Sequence, residues 1–66
     1  MNRRSKRAAL LRLRDAAEIL ICGCSEYVIL HRGDPQYSHE IETYQERAHA
    51  YQVILGRINQ ELDVAA

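Results

Sequence analysis

The second half of the chain carries a regular alternation of apolar and polar positions. Apolar or aromatic residues recur at intervals of four and three between residues 37 and 62, and most residues between them are polar. The stripe consists of Tyr37, Ile41, Tyr44, Ala48, Tyr51, Leu55, Ile58 and Leu62. This spacing, held for more than three heptads, is typical of a helix that packs along one face. The pattern predicts a helix over about residues 36–62, with Val53 and Ile54 widening the stripe.

The first half predicts another helix, over about residues 5–31. Its stripe has the same spacing: Leu10, Leu13, Ala17, Leu20, Cys24, Tyr27 and His31. From Ile19 to Leu30, however, apolar residues occupy nearly every side, and Glu26 is the only charge. A helix that is apolar all round is buried all round. One neighbouring helix covers one side only, so the pattern predicts that a second copy of the chain covers the other.

Residues 32–37 predict the turn between the helices. Gly33 suits the position after a helix end, Asp34 can cap a new helix, and Pro35 fits its first turn. A short connection makes the helices antiparallel neighbours. Strand formers at Tyr27–Leu30 leave a short strand as an alternative, but no complementary strand pattern follows Pro35.

The fold class predicted is therefore all-α, a single antiparallel two-helix hairpin that dimerises into a four-helix bundle with the first helix in its centre. Residues 1–4 and 63–66 are expected to be frayed. The dimer core is predicted to contain Leu13, Ala17, Leu20, Ile21, Cys24 and Val28.

Length and charge support a small domain that needs a partner. A chain of 66 residues is marginally stable alone. The net charge of zero hides an asymmetry, because residues 1–14 hold six basic side chains and no acidic one. Arg3, Arg4, Lys6 and Arg7 are predicted to lie near Glu61 and Asp63 at the end of the second helix, where ion pairs would explain part of the cluster. The alternatives are that these residues bind nucleic acid and that the terminus has no role.

Candidate chemistry is sparse. Cys22 and Cys24 point about 200° apart on a helix, so they cannot hold one metal ion together and are expected to be core residues. The three histidines, at positions 31, 39 and 49, lack the spacing of zinc ligands and the neighbours of a catalytic base. The sequence of Arg32-Gly33-Asp34 is better explained by turn chemistry than by adhesion. We expect no enzyme activity, no metal and no cofactor.

A basic start followed by the apolar residues 19–24 loosely imitates a secretory signal, but Asp15 and Glu18 interrupt it. No apolar run is long enough for a membrane span, so a cytoplasmic protein that does not bind membranes is expected.

The function expected from these patterns is protein binding. Three of the four tyrosines lie on the stripe of the second helix, and tyrosine favours sites that are half dry and half wet. The candidate partner-binding residues are Arg32, Tyr37, His39, Glu40 and Tyr44. Beyond a homodimer, the partner expected is a larger host protein, such as a bacterial transcription regulator inhibited by a phage or mobile-element protein. This expectation is an analogy with other small proteins. The alternatives are a nucleic-acid-binding helical dimer and a small structural or assembly subunit.

Overall fold

The computed structural model describes residues 2–65, with side chains for residues 2–64. Helix α1 runs over Arg3–His31, a short 3-10 helix over Pro35–Tyr37, and helix α2 over Ser38–Ala65. The two long helices pack side by side as an antiparallel hairpin that measures 50 × 15 × 14 Å. The chain is all-α over these residues, and Tyr27–Leu30 is helical rather than a strand.

Both helices extend beyond the predicted limits at 5 and 62. Arg3 and Arg4 are helical because Asn2 caps α1, its side-chain oxygen accepting a hydrogen bond from the Ser5 amide at 2.8 Å. Residues 63–65 continue α2. Residues 3, 4 and 63–65 are thus helical, the expectation that 1–4 and 63–66 are frayed stays a prediction, and Met1 and Ala66 lie outside the described part of the chain.

The turn uses the chemistry that the sequence predicts. Gly33 follows the end of α1 with a φ of +87°, a conformation that costs glycine little. The Asp34 carboxylate accepts a hydrogen bond from the Gln36 amide at 3.0 Å, and Pro35 occupies the first helical turn. These contacts reverse the chain within a few residues and set the two helices against each other.

The stripe predicted for α2 is confirmed, because all eight of its residues are buried or half-buried. Ile58 and Leu62 are the most buried and form a core cluster with Ala17 of α1. Leu10, Leu11 and Leu55 pack against this cluster. This cluster lies towards the open end of the hairpin, while Cys24 and Val28 are buried nearer the turn.

The stripe predicted for α1 is wrong at two positions. Leu13 and Leu20 are 54% and 48% exposed, while Arg14 and Ile21 are half-buried and Val28 is buried. Two neighbouring stripes of α1 alternate intervals of three and four residues and share Leu10, Ala17, Cys24 and His31. One adds Leu13, Leu20 and Tyr27, and the other adds Arg14, Ile21 and Val28. Helix α2 packs on the stripe that includes Arg14, whose long aliphatic stem can cover apolar surface. Leu13 and Leu20 consequently lie at the edge of the contact with α2, with about half of their surface exposed.

Candidate protein interface

Four aromatic rings join the helices near the turn. Tyr27 and His31 lie one turn apart on α1. Tyr37 of the 3-10 helix and Tyr44 of α2 contact them. The ring centroids of Tyr27 and Tyr44 are 4.0 Å apart with planes at 21°, and those of His31 and Tyr37 are 4.0 Å apart at 22°. Tyr27 and His31 are 4.5 Å apart and tilted. Aromatic pairs contribute more to stability than the area they bury, so this aromatic stack stabilises the packing of the two helices near the turn.

Two charged side chains lie beside the stack. The Arg47 guanidinium carbon is 5.2 Å from the centroid of the Tyr44 ring, a distance at which a cation is attracted by the ring face. Partial burial, the nearby Glu40 carboxylate and the neighbouring tyrosines raise the pKa of the Tyr27 hydroxyl. Tyr27 therefore stays protonated to higher pH than a free tyrosine.

A groove of about 430 Å³ continues from the stack along one side of the hairpin. We call this side the groove face. Its lining residues are Ile19, Leu20, Gly23, Cys24, Tyr27, Tyr44, Arg47 and Tyr51. Ile19 is 71% exposed, although it is a large apolar residue. The groove face is thus mainly apolar and aromatic, with Arg47 as its one charged lining residue.

Spacing extends the groove face towards the open end. Leu13 lies one heptad before Leu20, and Ile54 lies three residues after Tyr51, so each shares its neighbour's side of the helix. Leu13 and Ile54 are 54% and 51% exposed. The exposed apolar surface therefore runs along much of one side of the hairpin.

The opposite side of the hairpin holds two grooves. One, of about 250 Å³, has Ser25 and Gln45 beside Ile29. The other, of about 400 Å³, lies nearer the turn and has Asp34 beside Ile41. Their polar linings make them weaker candidates for a dry protein contact.

The predicted dimer-core residues divide into two groups. Ala17, Cys24 and Val28 are buried within one hairpin, and Ile21 is half-buried, so α2 already covers most of their surface. Leu13 and Leu20 are exposed on the groove face.

The predicted partner-binding residues divide in a similar way. Tyr37 and Tyr44 belong to the aromatic stack and are half-buried, whereas Arg32, His39 and Glu40 are exposed near the turn. Arg32 and Tyr44 line the groove of about 250 Å³ together, whereas Tyr37, His39 and Glu40 are not among its lining residues.

The expectation that both cysteines are core residues is wrong for Cys22. Cys24 is buried, but Cys22 is exposed, and its sulfur lies 3.6 Å from a carboxylate oxygen of Glu26. Residues two apart on a helix point to opposite sides, so only one of the pair faces α2. Within residues 2–65, no three histidine, cysteine or acidic side chains come together as a metal site.

The basic cluster lies at the open end, where Arg3, Arg4, Lys6 and Arg7 are all exposed. The Lys6 ammonium is 3.5 Å from a carboxylate oxygen of Glu61, which confirms the predicted contact with the end of α2. Both side chains are about half exposed, so this pair adds at most about 1 kcal/mol.

Sequence reasoning missed several residues of the groove face, notably Gly23, Arg47 and Tyr51. A signal for the groove was present, because Gly23 interrupts a helix interior that otherwise favours larger residues. The apolar pair of Val53 and Ile54 was a second signal, although only Ile54 lies on the groove side.

Comparison of the chain with protein-family models, curated proteins and solved structures gives no significant match. No helix in the described part of the chain is long and apolar enough to cross a membrane.

Proposed function

We propose that the chain is a small, non-enzymatic protein-interaction module and that another protein surface covers its groove face. The observation that supports this is the row of large apolar side chains, from Leu13 through Leu20 to Ile54, that lies exposed along one side. Exposed apolar surface of this extent marks interaction sites in soluble proteins. A helical pair on this side would complete a four-helix bundle, the arrangement predicted from the sequence.

A photo-crosslinking experiment tests this function in cells that express the chain. A photoreactive amino acid placed at Leu20 is expected to give protein adducts several-fold more often than the same amino acid at Leu30. Leu30 is the matched control because it lies on the same helix, is 77% exposed and does not line the groove. Equal labelling at the two positions, or no adduct at either, would contradict the proposal.

The mass of the adduct identifies the class of partner. An adduct of about twice 7.6 kDa indicates a second copy, which is the predicted homodimer. A heavier adduct indicates a different protein, and its identification by mass spectrometry tests the hypotheses of a phage or mobile-element inhibitor and of an assembly subunit. A bacterial transcription regulator in that adduct would support the inhibitor.

A second candidate function, binding of nucleic acid, is favoured by the exposed cations of α1. In the described part of the chain Arg3, Arg4 and Arg7 form no ion pair, so their charges are available to phosphates. Three phosphate contacts predict that affinity for a 20-base-pair DNA falls about fortyfold between 50 and 200 mM salt. Fluorescence anisotropy measures this slope. Replacing these arginines with glutamine should abolish binding, whereas glutamine at Arg32 and Arg47 should not. The absence of binding at 50 mM salt excludes this function.

A further inference from the structure

The hairpin exposes more surface than a compact protein of its mass. Its accessible surface is 5261 Å², whereas a compact monomer of 7.6 kDa exposes about 4,300 Å². The radius of gyration is 15.2 Å, compared with about 11 Å for a compact domain of this length. The surplus of roughly 1,000 Å² is close to the 800 Å² or so that each partner buries in a stable interface. Covering one long side would therefore lower the accessible surface of the chain to about that of a compact monomer of the same mass.

Charge is divided between the two ends of the hairpin. We call residues 2–17 with 55–65 the open half and residues 18–54 the turn half. The open half holds seven basic and three acidic side chains, a balance of +4, and the turn half holds two basic and six acidic, a balance of −4. The hairpin is thus a long rod with opposite net charges at its ends.

The apolar stripe on the groove face is centred on Leu20. Leu13 lies seven residues before it and Tyr27 seven residues after it, about 10 Å away in either direction along α1. A two-fold axis near Leu20 would place Leu13 of one copy beside Tyr27 of the other. Such an axis makes the stripe self-complementary, which a symmetric dimer requires.

We propose that a second copy of this chain covers the groove face in an antiparallel arrangement, with the open half of each copy against the turn half of the other. This proposal deepens the proposed function, on which it rests, by naming the occupant. The antiparallel arrangement brings halves of +4 and −4 together, whereas a parallel one brings equal charges together. Charges at these separations are screened by salt, so the dimer should weaken as ionic strength rises.

Sedimentation equilibrium of the purified chain tests whether a second copy covers the groove face. We expect a species of twice 7.6 kDa at micromolar concentrations. Gly23→Arg should raise the dimer dissociation constant at least about tenfold, which corresponds to about 1.4 kcal/mol. Gly23 lines the groove, and a side chain added there meets nothing within 4 Å in the hairpin itself.

Gly56→Arg is the matched control, because Gly56 is also helical, has open space around it and does not line the groove. Its dissociation constant should stay within about threefold of the unmodified chain. Circular dichroism establishes that both variants are helical. A monomer at 100 µM, or equal weakening by the two substitutions, overturns the proposal. If Leu20 nevertheless crosslinks to a different protein, the proposed function stands and only the second copy is excluded.

Distances between spin labels test the arrangement. A label is attached at Gln36→Cys in the turn of each copy, with Cys22→Ser removing the exposed native thiol. Because the hairpin is 50 Å long, antiparallel copies place the two labels about 40 Å or more apart. Parallel copies place them about 20 Å apart, since packed helices are separated by about 10 Å. A short distance overturns the antiparallel arrangement.

Discussion

Replacing Ile58 with alanine is expected to lower the free energy of unfolding by about 2–4 kcal/mol. Ile58 is 7% exposed and belongs to the core cluster with Ala17 and Leu62. Its loss removes buried methyl groups and leaves a cavity that neighbouring side chains fill only in part. A chain of this length is stabilised by about 3–10 kcal/mol in total, so the substitution removes a large share of it.

The same substitution at Ile29 is the control. Ile29 lies on α1 and is 67% exposed, so alanine there should change the free energy of unfolding by no more than about 0.5 kcal/mol. Urea unfolding followed by circular dichroism measures both variants. The protein concentration must be equal in each experiment, because self-association contributes to apparent stability. Equal losses at Ile58 and Ile29 would show that the open-end cluster is not the core.

The sequence predicted α2 well because its amphipathic pattern leaves only one face of the helix that can be buried. Every residue between the stripe positions is polar, small or grouped at Val53 and Ile54, so no other face of the helix could be dry. The turn was predictable for a similar reason. Gly33 adopts a positive φ, Asp34 is extended because it precedes a proline, and Pro35 lacks the N–H that a helix interior needs.

Helix α1 was harder to predict because apolar residues surround it. Periodicity counts apolar side chains, and by that measure Leu13 and Leu20 belong at the helix contact more than Arg14 does. The structure places Arg14 there instead and leaves the two leucines exposed. Which of the two stripes packs on α2 depends on the rotation of α1 about its own axis. The pattern of one helix does not reveal that rotation.

The aromatic stack depends on a register that the sequence does not reveal. Tyr37 and Tyr44 were predicted to bind a partner because tyrosine on a helix stripe favours sites that are half dry and half wet. Their partners, Tyr27 and His31, belong to the other helix, and the pairing follows only when the two helices are aligned. The same alignment creates the groove beside Tyr44, which explains why the candidate site was only partly predictable.

Replacing Tyr27 with alanine is the second large effect expected, a loss of about 2–3 kcal/mol in the free energy of unfolding. Tyr27 contacts three rings, those of His31, Tyr37 and Tyr44, and the Tyr44 contact is the one that stacks α1 directly on α2 near the turn. Tyr27→Phe keeps the ring and should change stability by less than about 0.5 kcal/mol at neutral pH. If alanine and phenylalanine have equal effects, the stack does not stabilise the hairpin.

Tyr27→Phe also separates the ring from its hydroxyl at alkaline pH. Partial burial and Glu40 raise the pKa of the Tyr27 hydroxyl in the folded chain. The folded state therefore holds this proton more tightly than the unfolded state, whose tyrosine has a pKa of about 10. The resulting stability is fully present below that value and is lost as pH rises through the higher pKa of the folded state. Urea unfolding between pH 8 and 11 should show a steeper loss for the unmodified chain than for Tyr27→Phe. Parallel curves would mean that Tyr27 ionises as freely in the folded hairpin as in the unfolded chain.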